Sequence, residues 1–189
     1  MGLKSRFLRT YPEKALIRWK IATKPESLLT EARRSGQPVS YPVKEAERSL
    51  TVAGRKELEE IATSMLSQGM RFDRIIASPL KRAYETAAIV SKTFKIPSLL
   101  EQWNELRPEA SRLDMYRKLS KLKQDSEILL VGHEPYLGTT IGEMVSGNGN
   151  SHISLKKGGL AKIRVTSFVP KASGELSWLL TPKQIRKLS

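Results

Sequence analysis

Two short apolar runs constrain this chain more than any other feature. Arg74-Ile75-Ile76-Ala77 stops at Ser78-Pro79, and Ile128-Leu129-Leu130-Val131 stops at Gly132-His133. Neither run alternates apolar with polar residues, so each reads as a strand covered on both faces, the habit of a parallel sheet held between helical layers. Helical segments separate these runs. Thr51 is placed to cap a helix in which Leu58, Ile61, Ala62, Met65 and Leu66 recur at helical spacing and which Gly69 ends. Pro79 is expected in the first turn of a second helix reaching Phe94, where its missing N–H costs nothing. Residues 110–122 read as a third helix, amphipathic and basic, and 135–145 as a fourth. Ala15–Ile21 reads as a first strand, Leu99-Leu100 as a short one, and 162–167 and 175–180 as a final pair joined by a turn at 170–174. Strands alternating with helices predict an α/β fold, a three-layer α/β/α sandwich with a mostly parallel central sheet whose last two strands make one edge antiparallel. The expected organisation is a basic arm at 1–14, one domain at 15–181 with a long insertion at about 24–47 marked by Pro25, Gly36, Pro38 and Pro42, and a short C-terminal helix or tail at 182–189 opened by Pro182.

Composition removes several kinds of chemistry. The 189 residues include no cysteine, which excludes disulfides, thiolate metal sites and cysteine nucleophiles. The two histidines, His133 and His152, argue against a multi-histidine metal centre, and no cofactor is expected. No apolar run is long enough for a membrane-spanning helix or a secretory signal, so the expectation is a cytoplasmic protein. The net charge of +14 is unevenly spread: +6 in residues 1–50, +1 in 51–150 and +7 in 151–189. Basic ends of this kind suit phosphates, nucleic acid or an acidic membrane face; the plain alternative is a solvated basic surface with no specific partner.

In α/β sheets of this type, ligands bind beyond the C-terminal strand ends. That rule selects Arg18-Trp19-Lys20 after the first strand, Ser78–Arg82 after the second, and Gly132-His133-Glu134 after the fourth. Two guanidinium forks and an imidazole make an oxyanion-binding set. The competing reading makes Arg82 a solvated helical arginine and His133 a satisfied turn residue.

Five segments in order bear on that choice. They are Arg48-Ser49-Leu50-Thr51-x-x-Gly54; Ile75-Ile76-Ala77-Ser78-Pro79-Leu80-x-Arg82-Ala83-x-x-Thr86-Ala87; Glu105-Leu106-x-Pro108; Leu129-Leu130-Val131-Gly132-His133-Glu134-Pro135; and Leu155-Lys156-Lys157-Gly158-Gly159-Leu160-Ala161-x-Ile163. Together, over about 48–181, the chain resembles the histidine phosphatase superfamily and, within it, the SixA-type phosphohistidine phosphatases. The resemblance implies a phosphoglycerate-mutase-like fold. It also implies a histidine nucleophile in an Arg-His-Gly motif at the end of the first strand, and two arginines and a second histidine around the phosphoryl oxygens. Arg82 matches the second arginine and His133 the second histidine. Phosphoryl transfer rests mainly on positioning and charge neutralisation, which such a set supplies.

The departure lies at the nucleophile. Where the resemblance implies Leu-Ile-Arg-His-Gly-Ile-Ala, this chain reads Leu16-Ile17-Arg18-Trp19-Lys20-Ile21-Ala22. Arg18 is kept as a phosphate-binding residue, and Trp19 stands at the nucleophile's position. An indole N–H only donates and has no available lone pair for attack on phosphorus. Three accounts fit: a pseudoenzyme that keeps a phosphate pocket, an active enzyme with another nucleophile, or a functional N-terminus that differs from this one. A plain core aromatic in an unrelated strand also fits Trp19.

Other residues carry less. Glu105 is either a candidate acid near the pocket or, the favoured reading, a structural cap. His152, in a polar loop, reads as a solvated residue, Lys156-Lys157 as an entrance or plain surface, and Trp103 and Trp178 as packing. The expected partner is a phosphorylated protein or a small phosphate compound. The alternative function is a non-catalytic phosphate- or polyanion-binding module that uses the basic ends, with weak, sequence-independent polyanion binding.

Overall fold

The computed structural model describes residues 46–188 and, before them, the backbone of strand β1 at Leu16–Ile21. Beyond β1 come α1 (Val52–Ser67), β2 (Arg74–Ala77), α2 (Lys81–Thr93), β3 (Leu100–Gln102), α3 (Arg112–Leu119), β4 (Ile128–Gly132), α4 (Tyr136–Ser146), β5 (Leu160–Ser167), β6 (Ser173–Leu180) and α5 (Pro182–Arg186). The strands form one sheet in the order β3-β2-β4-β1-β5-β6. β3, β2, β4 and β1 run parallel, while β5 is antiparallel to β1 and β6 to β5. The parallel sheet with an antiparallel edge is therefore as expected. The arm at 1–14 and most of the insertion at 24–47 lie outside the described residues.

β4 explains the unbroken apolar run. All five of its residues are buried. Leu130 packs on one side with Met115, Tyr136, Leu137 and Ile141 from α3 and α4. Leu129 and Val131 pack on the other with Ile61, Met65, Ala83 and Ala87 from α1 and α2. Successive side chains of a strand point to opposite faces, so a strand between two helical layers must be apolar throughout. The closing helix α5 belongs to the second layer: Thr181 caps it with a reciprocal Gln184 bond, and Ile185 is fully buried beside Ile61.

Several element boundaries differ from expectation. α1 starts as predicted, with Thr51 Oγ accepting the Gly54 N–H at 3.0 Å, but Leu66 is 44 % exposed, because the buried face ends at Met65. α2 begins at Lys81, so Pro79 precedes the helix instead of occupying its first turn. Ser78 and Pro79 are first used to leave β2: the Ser78 N–H donates to the Val131 carbonyl at 2.8 Å. α3 is shorter than 110–122, since Ser111 caps it and Ala110 is held in the preceding turn by Arg107. Leu99 ends a 3-10 turn, which shifts β3 to Leu100–Gln102. Arg18, Trp19 and Lys20 lie inside β1, not after it, and pair with Leu129, Leu130 and Val131 of β4.

One contact sets the start of α1 against α2. The Glu85 carboxylate accepts the Leu50 N–H at 2.7 Å and an Arg55 Nη2–H at 2.6 Å. Burial pushes this carboxyl upward, but the Leu50 and Arg55 bonds win and hold it below its usual value. A depressed carboxyl stabilises the fold above the ordinary carboxylate range, and that stability is lost as pH falls through the folded value. Glu85→Gln is expected to cost about 1 kcal/mol at neutral pH, with the gap in Tm from wild type closing as thermal unfolding is repeated at pH values down through the carboxylate range.

Candidate oxyanion site

The site grows out of the C-terminal ends of β2 and β4. These strands are neighbours, with Ala77 level with Val131, so the residues that follow them, Ser78 and His133, meet. His133 Nε2 lies 3.0 Å from Ser78 Oγ, and both residues are buried. The His133 carbonyl accepts the Leu137 N–H at 3.0 Å in the first turn of α4, which fixes the imidazole's backbone. Ser78 Oγ also accepts the Leu80 N–H at 3.3 Å, so the same hydroxyl joins the histidine to the entry of α2.

Arg82 is the second residue of α2 and is 8 % exposed, which is unusual for a guanidinium. The prediction of a solvated helical arginine is thereby excluded. Arg107 comes from the turn after β3. Its neighbour Leu106 presses its carbonyl against the end of β4, where a Cβ built on Gly132 would lie 3.6 Å from Leu106 O. Burial, and then the charges of Arg82 and Arg107, push the His133 imidazole down to about 4. It is neutral at pH 7, in a setting whose fixed charges are positive. That is an environment for an anion, and a bound dianion would reverse the electrostatic penalty on a protonated His133.

Glu134 turns away from this cluster. Its Oε1 accepts the Gly138 N–H at 2.9 Å, and its Oε2 lies 2.8 Å from His152 Nε2. Burial raises the Glu134 carboxyl, against the opposing pull of His152. His152 is an exposed loop residue, as read, and in addition its ring bonds to Glu134. Eighteen residues separate it from Glu134, and the approach depends on α4: a Cβ on Gly138 would sit 2.4 Å from His152 Nε2, and one on Gly142 2.3 Å from Ser151 O. Ile153 N–H completes the contact by donating to Gly138 O at 2.9 Å.

Glu105 is neither a cap nor bonded to His133. Its carboxylate accepts from Lys118 Nζ at 3.0 and 2.9 Å, and its carbonyl accepts from the Tyr136 hydroxyl at 2.7 Å. It lies in the middle of the 3-10 turn Asn104–Leu106, whose preceding residue is Trp103. Trp103 is buried, with Lys118 Nζ 4.4 Å from its ring centroid, and Trp178 is partly buried against the second core layer, so both tryptophans pack. Lys156 and Lys157 are exposed just before β5. The side chains of Arg18 and Trp19 lie outside the described residues. The backbone register places Trp19 level with Leu130, three residues before His133 on the parallel neighbour, about 10 Å along the strand at the usual rise.

Sequence reasoning missed Arg107. The available signal was its position in the turn after a parallel strand, at the same sheet edge as Arg82 and His133.

Known proteins fit this geometry. The model of the histidine phosphatase superfamily (branch 1) matches residues 43–110. An uncharacterized protein of Picosynechococcus sp. is 29 % identical over 143 residues, spanning 74 % of this chain and 86 % of its own. Phosphohistidine phosphatase SixA of Escherichia coli is 21 % identical over 155 residues, spanning 81 % and 93 %. Among solved structures, the protein histidine phosphatase SixA complexed with tungstate superposes with a TM-score of 0.67 at 18 % identity, covering 89 % of this chain and 97 % of that one. A phosphoglycerate mutase of Bacillus anthracis gives 0.57 at 15 %, covering 93 % and 97 %. The architecture is the α/β fold of phosphoglycerate-mutase-like histidine phosphatases. Within that class, the chain resembles the SixA-type phosphohistidine phosphatases.

Among the described residues, no helix is long and apolar enough to cross a membrane, and no group of His, Asp and Glu is arranged to hold a metal ion.

Proposed function

We propose that this chain is a SixA-like domain that recognises a phosphoryl group, on a protein histidine or on a small phosphate compound, and that its hydrolysis is impaired because Trp19 stands where the resemblance implies the nucleophile. The observation that carries this reading is the buried Ser78–His133 pair at the ends of β2 and β4, with the buried Arg82 beside it. Arg82, His133 and Arg18 are the proposed phosphate ligands. His133 is also the group that would give or take a proton at a phosphoryl oxygen once a bound dianion raises its basicity. Glu105, held by Lys118, has no part in this scheme.

Without an imidazole at position 19, the covalent half of the reaction has no obvious nucleophile. Incubation with phosphoramidate should therefore leave no acid-labile phosphate on the protein, and phosphohistidine substrates should turn over little above the uncatalysed rate. Stoichiometric phosphate on His133 would refute the impairment and make that residue the nucleophile.

A second reading is favoured by charge. Residues 151–189 carry +7 net, and Lys156, Lys157, Lys183 and Lys187 are exposed. In this reading the domain is a non-catalytic phosphate- or polyanion-binding module.

A further inference from the structure

Arg82 and Arg107 come from elements packed on opposite faces of the sheet, at the end where β4 passes into His133, and the charge of each bears on that histidine. Arg82 belongs to α2, whose Ala83, Ala87 and Val90 pack in one core layer with Ile61 and Leu129. Arg107 follows Leu106, which packs in the other layer with Trp103, Met115, Tyr136 and Leu137. β4 runs between these layers and ends at Gly132, with the Leu106 carbonyl against it. The turn that carries Arg107 is firmly built. Trp103 N–H donates to Ala77 O at 2.9 Å, Leu106 N–H to Trp103 O at 3.1 Å, Arg107 N–H to Asn104 O at 3.0 Å, and the Tyr136 hydroxyl to Glu105 O at 2.7 Å. The guanidinium itself is less committed. It is 35 % exposed, and its Nε makes a loose ion pair with Glu109 at 3.5 Å. A rigid turn with a movable fork at its end suits a group that closes on an anion.

Resting on the phosphoryl-recognition reading, we propose that Arg107 is a positioning residue that clamps the bound oxyanion from the side of the sheet opposite Arg82, leaving Glu109 to do so. Among the described residues, the charged and polar groups that bear on His133 include Ser78 after β2, Arg82 from α2 and Arg107 from the turn after β3; Glu134, next in the chain, is turned to Gly138 and His152. An anion held between two guanidinium groups gains paired hydrogen bonds from both, and each loss should weaken binding separately.

The test measures tungstate affinity by calorimetry for wild type, Arg107→Ala, Arg107→Lys and Arg82→Ala, with the imidazole titration of His133 followed by NMR in the same proteins. His152 is the only other histidine, so assignment needs one His152→Gln spectrum. Arg107→Ala is expected to weaken tungstate binding about tenfold or more, with Arg107→Lys between it and wild type. In the ligand-free Arg107→Ala protein, the His133 midpoint should rise, because one of the positive charges that hold it down is gone. A purely structural role would not move that midpoint while leaving the circular dichroism unchanged. Glu109→Gln, which frees the guanidinium without touching the turn, should tighten tungstate binding and covers the case in which Arg107→Ala folds poorly. Wild-type affinity in Arg107→Ala alongside lost affinity in Arg82→Ala would overturn the clamp and leave phosphoryl recognition standing. No tungstate binding by the wild type would overturn both.

Discussion

Arg82→Ala is expected to abolish measurable binding of tungstate or orthophosphate, a loss of about a hundredfold, or about 2.7 kcal/mol. The size follows from burial. Arg82 is 8 % exposed at the head of α2, and its charge bears on the neutral His133, so that charge is poorly screened by water. Removing it leaves phosphoryl oxygens unpaired in a site that offers little water to replace it. Arg82→Lys keeps the charge without the planar fork and should recover only part of the loss. Polyanion binding should behave differently. It would draw on exposed lysines such as Lys156, Lys157, Lys183 and Lys187, so its logarithm should fall linearly with the logarithm of salt concentration, and Arg82→Ala should hardly change it. Calorimetry with orthophosphate and a salt titration with a random DNA duplex, on both proteins, separate the two. Salt-resistant, sub-micromolar binding to one nucleic-acid sequence would favour the binding module over phosphoryl recognition.

The sheet could be read from the sequence where burial on both sides left its mark. β4 is apolar at every position because helices cover both faces, and its run ends where the chain turns toward the site. β2 carries the same signal, and Thr51 announced α1 through a cap that needs only local residues. What failed to show depended on contacts between distant segments. Pro79 suits a first helical turn by its own geometry, yet the Ser78 N–H is already committed to β4, and the helix starts two residues later. His152 sits, exposed as read, in a stretch of glycine, serine and asparagine, but its bond to Glu134 was not legible, since it depends on the close approach that Gly138 and Gly142 allow. Arg107 belongs to no local pattern; it follows a 3-10 turn whose Leu106 carbonyl lies against Gly132, next to His133, and its charge bears on that histidine. Glu105 read preferably as a structural cap, but its carboxylate is instead held by Lys118 of α3, thirteen residues away.

The other large effect expected is a gain. Trp19→His combined with Lys20→Gly should raise hydrolysis of a phosphohistidine substrate by about a thousandfold, equivalent to about 4 kcal/mol of barrier. The indole nitrogen's lone pair belongs to the aromatic system, so Trp19 can donate a hydrogen bond but cannot attack phosphorus. An imidazole supplies that lone pair, and glycine removes a side chain where the backbone should approach the phosphoryl group. The surrounding charge would already be in place: Arg82 opens α2 and the neutral His133 follows β4, bonded to Ser78. Restored activity should therefore come with acid-labile phosphate on the introduced histidine, and His133→Ala in the double mutant should remove most of the gain. Phosphoramidate labelling and steady-state hydrolysis measure both. A double mutant that folds, binds tungstate as wild type does and stays inactive would place the fault in β1 itself. There Trp19 is level with Leu130 and Ile21 with Gly132, so the backbone at position 19 lies three residues, about 10 Å, before that of His133 along the strand direction. Attack requires the nucleophile to lie within about 3–3.5 Å of phosphorus, so a seating of position 19 that misses this distance would by itself keep a competent imidazole from reacting.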